Sequence, residues 1–150
     1  MNLNRRQMLT RTVGVSLAGL FGIQSRAFAT PEAVAEAVKT FSGDAEPVSG
    51  RIKLTTPEIA ENGNSVPIGV SVDSPMSDDD YVAQVVIYAD GNPNPDVITF
   101  NFTPASGEAT ASTRMRLAKT QNVVAVAKMS DGSVFTDTRN IKVTIGGCGG

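Results

Sequence analysis

From residue 51 onward, apolar and polar side chains alternate. Lys53 separates Ile52 from Leu54; Pro67, Gly69 and Ser71 separate Val66, Ile68, Val70 and Val72; Thr99 and Asn101 separate Ile98, Phe100 and Phe102. Successive side chains of a strand face opposite sides, so this is the pattern of sheets with one buried and one solvated face. Further strands are predicted at Val82 to Ala89, Ala109 to Leu117, Val123 to Met129 and Val134 to Ile145, the last bent or interrupted near Arg139-Asn140. Turn clusters lie between them: Glu61 to Asn64, Asp73 to Asp80, Asp90 to Pro95, Thr103 to Gly107 and Ser130 to Gly132. Ahead of the strands, Val34, Val38 and Phe41 recur at helical spacing, with Pro31 at the start and Gly43 past the end, which predicts one short helix. About seven short strands with regular turn signals predict an all-β, immunoglobulin-like antiparallel β-sandwich with one N-terminal helix.

The first thirty residues follow another pattern. Arg5, Arg6, Arg11 and Arg26, with no acidic residue among them, surround an apolar run from Val13 to Ile23, and Ala27-Phe28-Ala29 supplies a small-x-small cleavage site. This is the layout of an export signal. The run is shorter than the roughly 20 apolar residues that span a bilayer core, which argues against a retained anchor. The pair Arg5-Arg6 within Asn4-Arg5-Arg6-Gln7-Met8-Leu9 resembles a twin-arginine signal, an address for bacterial export of folded cargo to the periplasm. The expected division is a cleaved leader over 1–29, a sandwich domain with its helix over 30–145, and a glycine-rich arm over 146–150.

Composition excludes more chemistry than it supplies. The chain has 150 residues, 41% apolar and 19% charged, with no His, no Trp and one Cys. That is a single domain with enough apolar content for a core. Without His there is no Ser-His-Asp or Cys-His catalysis, and one Cys cannot by itself make an internal disulfide, a thiolate zinc site or an iron–sulfur cluster. Removing the four leader arginines leaves nine basic against fifteen acidic residues, a formal charge of −6. Nucleic acid and, after leader cleavage, membrane are therefore not expected partners, and the domain is expected to lack a basic cleft. Asp78-Asp79-Asp80 reads as a solvated acidic turn, because the spaced ligands of a calcium loop are missing. Tyr81 and Tyr88 read as packing residues, Arg114 and Arg116 as a polar outer face, and the sequon Asn101-Phe102-Thr103 as having little relevance in a bacterial periplasm.

The end of the chain is different: Ile145-Gly146-Gly147-Cys148-Gly149-Gly150. A lone Cys is ordinarily a small buried hydrophobe, but four glycines around this thiol leave nothing to pack and add backbone entropy. Gly146, Gly147, Gly149 and Gly150 are thus expected to form a flexible arm that holds Cys148 up to about 10 Å beyond the last strand. A thin arm can carry a sulfur into a channel of another protein. No cation flanks Cys148 in sequence and the terminal carboxylate is near, so thiolate is not favoured locally and activation must come from a partner's site. These features suit a covalent carrier without a cofactor or metal better than an enzyme. An exported interaction domain whose terminal Cys forms an intermolecular disulfide is the alternative, and an independent thiol peroxidase or sulfurtransferase is less favoured.

The segments Pro57-Glu58-Ile59-Ala60-Glu61-Asn62-Gly63, Val66-Pro67, Asn92-Pro93-Asn94-Pro95, Thr113 to Ala118, Ser130-Asp131-Gly132 and above all the terminal Gly-Gly-Cys-Gly-Gly resemble the SoxY family. These are sulfur-carrier subunits of the periplasmic thiosulfate-oxidising Sox system. The resemblance implies an immunoglobulin-like sandwich in a heterodimer with SoxZ and a carrier thiol at Cys148. It further implies oxidative loading with thiosulfate by the cytochrome complex SoxAX, release of sulfate by SoxB and, where present, oxidation of the remaining sulfane sulfur by SoxCD. Cys148 carries over as the attachment site and the four glycines as a swinging arm.

Overall fold

The computed structural model describes residues 28–147, so the leader with Arg5 and Arg6, and Cys148, Gly149 and Gly150, lie outside the described residues. The helix forms as its signals require. In α1 (Pro31–Ser42) the Thr30 hydroxyl accepts the Ala33 amide at 3.2 Å and Pro31 opens the first turn. The Lys128 ammonium donates to the Phe41 carbonyl at 3.3 Å near the other end. Among the described residues no helix is long and apolar enough to cross a membrane.

Nine strands follow among the described residues: β1 (Val48–Ser49), β2 (Ile52–Thr55), β3 (Ile59–Ala60), β4 (Val66–Val72), β5 (Val82–Ala89), β6 (Asp96–Asn101), β7 (Ala109–Met115), β8 (Gln121–Met129) and β9 (Val134–Val143). They build two sheets, ordered β1-β9-β8-β5-β6, with β3 also on β9, and β2-β4-β7. The seven longer strands pair antiparallel. Ile52, Leu54, Ile68, Val70 and Val72 of the small sheet and Val85, Ile87, Val123, Ala125, Ala127 and Ile141 of the large one bury the core between them. This is the immunoglobulin-like sandwich the alternation predicts.

Three differences from expectation have local causes. The pairs β1–β9 and β3–β9 are parallel and only two residues long, too short to register as a period. Strand β9 runs unbroken past Arg139-Asn140, because β8 pairs with it from Val134 to Ile141, and it ends at Val143 rather than Ile145. Strands β5 and β8 are buried on both faces. The helix lies on the outer side of the large sheet, where Val34 packs with Val86, Tyr88, Val126 and Val134, against partly buried Val38 and Phe41. A second covered face converts alternation into near-continuous apolar runs.

The bland readings of the scattered candidates hold. Tyr88 is 3% exposed, and burial, helped by Asp96, pushes its hydroxyl up to about 12. Tyr81 packs partly buried against the core. Asp80 pairs with Arg51 at 3.2 Å, while Asp78 and Asp79 face solvent. Arg114, whose Nε donates to the Ser65 hydroxyl at 2.8 Å, and Arg116 are both exposed.

Candidate functional site

Past Val143 the sheet ends but the hydrogen bonding does not. The Thr144 amide donates to the Ala60 carbonyl at 3.0 Å and its hydroxyl to the Glu61 carbonyl at 2.8 Å. The Gly63 amide donates to Ile145 O at 2.7 Å, the Leu117 amide to Gly63 O at 2.8 Å, and the Gly147 amide to Leu117 O at 2.9 Å. Three segments of chain, the turn at Gly63, the loop after β7 and the tail, are therefore laced together by main-chain groups.

Such close lacing needs glycine. A Cβ on Gly63 would strike the Leu117 carbonyl and stand 2.8 Å from the Gly147 nitrogen; one on Gly146 would strike the Ala118 carbonyl, and one on Gly147 the Gly63 carbonyl. Gly146 and Gly147, expected in a flexible arm, lie against the body in the described structure. These two glycines are small because backbones meet there, and the chain is held to the body as far as Gly147, one residue before Cys148. Gly63 stands in an Asn-Gly pair that reads as turn chemistry; nothing in the local pattern reveals that a distant strand of backbone lies on it.

A buried amide braces the same loop from behind. Asn92, 7% exposed, donates through Nδ2 to Arg116 O at 2.8 Å and accepts through Oδ1 from the Ala118 amide and from Gln121 Nε2, both at 3.0 Å. Gln121, also buried, accepts the Gly91 amide at 2.8 Å. Both polar atoms of the Asn92 side chain thereby have partners, as burial demands. The main-chain carbonyl of Asn92 also receives the Ala29 amide at 2.7 Å, so the expected leader junction is part of the folded domain, with the centre of the Phe28 ring 5.0 Å from Lys119 Nζ.

The expectation of no basic cleft is also corrected. Lys53, Arg139 and Lys142, from β2 and β9, line one groove of about 660 Å³. Counting charges along the chain could not bring them together, because β2 and β9 belong to different sheets. Among the described residues no group of three or more His, Cys, Asp or Glu could hold a metal ion.

Known proteins give the same outline. The family model described as sulfur oxidation protein SoxY matches residues 38–148. Among solved structures, the sulfur carrier protein SoxY from Chlorobium limicola f thiosulfatophilum is 33% identical at a TM-score of 0.61, covering 75% of this chain and 96% of that one. A superoxide reductase (neelaredoxin) from Ignicoccus hospitalis matches at 19% identity and a TM-score of 0.57, covering 77% of this chain and 94% of that one. Superoxide reductase from Nanoarchaeum equitans matches at 11% and 0.54, covering 64% and 100%. At such identities the two reductases share the fold alone. A search of curated proteins finds no match. With its length matched from α1 to the terminal Cys, the chain belongs to the SoxY family of sulfur oxidation proteins.

Proposed function

We propose that this protein is a covalent carrier of thiosulfate-derived sulfur on Cys148, a substrate of partner enzymes rather than an enzyme. The observation that carries the reading is that the family match extends to residue 148, the one Cys of the chain. Main-chain hydrogen bonds hold the described chain to the sandwich as far as Gly147, the residue that precedes Cys148 in sequence, which supports reading the carrier thiol as part of a short terminal segment.

In the loading step the Cys148 thiolate and thiosulfate form one S–S bond and give up two electrons, RS⁻ + S₂O₃²⁻ → RS–SSO₃⁻ + 2e⁻, accepted by the haem of the cytochrome complex SoxAX. SoxB then hydrolyses the outer S–S bond, RS–SSO₃⁻ + H₂O → RS–S⁻ + SO₄²⁻ + 2H⁺, leaving a persulfide. SoxCD oxidises that sulfane sulfur where it is present. SoxZ is the heterodimer partner, and the periplasm, reached by twin-arginine export, is the compartment. A covalent bond retains a small dianion that a domain of net charge −6 would bind weakly.

Intact mass of the protein isolated from thiosulfate-grown cells tests this. Adducts of about +112 Da or about +32 Da on the C-terminal peptide are expected, and Cys148→Ser abolishes both along with thiosulfate oxidation. A Cys148→Ser protein that still supports oxidation overturns the reading. So does a stable disulfide-linked species as the working form.

A further inference from the structure

Strand β9 has an interrupted outer edge. It pairs with β1 at Phe135 and Thr136 and with β3 at Lys142 and Val143. Between these contacts the chain leaves the large sheet: at Gly50 and Arg51, with φ of 122° and 47°, it turns away, and β2 pairs with β4 of the small sheet instead. It returns through Thr56-Pro57-Glu58, where Pro57 has no N–H to offer. The amides of Lys142 and Thr144 donate outward to Glu58 O and Ala60 O. Strand alternation turns the N–H and C=O of Thr138 and Asn140 to that same side. Among the described residues neither has a strand partner there.

The groove over this gap joins two depressions. One, of about 660 Å³, is lined by Lys53, Thr55, Ile59, Thr138, Arg139 and Lys142 among others. The other, of about 490 Å³, shares Lys53, Thr138 and Arg139 and continues to Ser49. The surroundings are thus elongated and cationic on an otherwise acidic domain. Arg139 shares Asp137 at 3.2 Å, while Lys53 and Lys142 form no ion pair among the described residues. Glu58 is the acidic member of the lining of the larger depression. Ile59, 57% exposed, adds an apolar contact at one end.

We propose that this groove receives an acidic, extended peptide segment of a partner protein. The segment adds to the free edge of β9 as a short strand, its main chain bonding Thr138 and Asn140 and its carboxylates facing Lys53, Arg139 and Lys142. A compact inorganic anion would use the charges but leave the strand edge unsatisfied. The proposal does not depend on the sulfur-carrier reading. It does place the partner beside the tail, because Ala60 and Thr144, bonded to each other, follow immediately on the end of the groove.

Fluorescence anisotropy of the full chain under reducing conditions tests it, with a capped, fluorescein-labelled Glu-Val-Glu-Val-Glu peptide as probe and its Lys-Val-Lys-Val-Lys counterpart as control. Saturable binding of the acidic probe is expected, weakening with salt and falling at least about tenfold in the triple variant Lys53→Glu, Arg139→Glu, Lys142→Glu. The same variant should gain binding of the basic peptide, a gain that a misfolded protein would not show. Equal binding of the acidic probe by both proteins, no saturable binding, or displacement by inorganic sulfate beyond that by chloride at matched ionic strength overturns the proposal.

Discussion

Gly63 and Gly147 meet backbone to backbone: the Gly147 nitrogen lies 2.8 Å from where a Gly63 side chain would begin, and Leu117, bonded to both glycines, closes the contact. The tail is therefore seated on the domain by two other chain segments at once, the turn at Gly63 and the loop after β7. Gly63→Ala should destabilise the fold by about 1–3 kcal/mol, the usual range for overpacking, and should expose the tail to proteolysis. The control is Gly69→Ala, whose new methyl would meet nothing nearer than 3.8 Å and should shift stability by no more than about 0.5 kcal/mol. Urea unfolding and limited digestion read both.

Asn92 braces that seat from inside. Asn92→Ala leaves the Arg116 carbonyl and the Ala118 amide without their side-chain partner and should cost about 1–3 kcal/mol. Because both groups flank Leu117, amide exchange at Leu117 and Gly147 should quicken more than exchange in β5. Uniform acceleration across the domain would show that the effect is merely global.

Asp137 ties the two sheets at the strand switch. Its Oδ2 accepts the Leu54 amide at 2.8 Å, supplying β2 with a side-chain partner on the edge that does not pair with β4. Asp137→Ala should cost about 1–3 kcal/mol by stranding that amide. Asp137→Asn keeps an acceptor oxygen and should recover most of the loss, measured by the urea midpoint at constant m-value.

Tyr88 sets an alkaline limit. Its hydroxyl is raised in the folded protein to about 12 by burial and by Asp96, against about 10 when unfolded. Between these values the unfolded chain has lost a proton that the folded one retains, so stability falls as pH rises through that window. The loss should be on the order of 2 kcal/mol across the window. It should be absent in Tyr88→Phe, as thermal melts from about pH 9 to about pH 12 would record.

Much of this protein is legible in one dimension. The alternation from Ile52 to Phe102 reports which side chains face inward, a property of the strand itself, and Thr30-Pro31 opens a helix by local hydrogen bonding and a preset φ. The Gly-Gly-Cys-Gly-Gly terminus is equally local, since it is defined by adjacent residues. What stayed hidden depends on distant chain coming together. Gly63 and Gly147 are far apart in sequence, and each has its own local explanation, a turn and an arm; their shared reason, a backbone contact, exists once β9 is laid beside β3. The two-residue strands β1 and β3 have no period to read. Lys53, Arg139 and Lys142 are scattered charges on a net-acidic chain until the switch of β2 into the second sheet leaves a gap in β9 and turns them toward one groove. Local geometry follows from neighbours along the chain, whereas close approach and the convergence of charge follow from packing, which the linear order of residues does not contain.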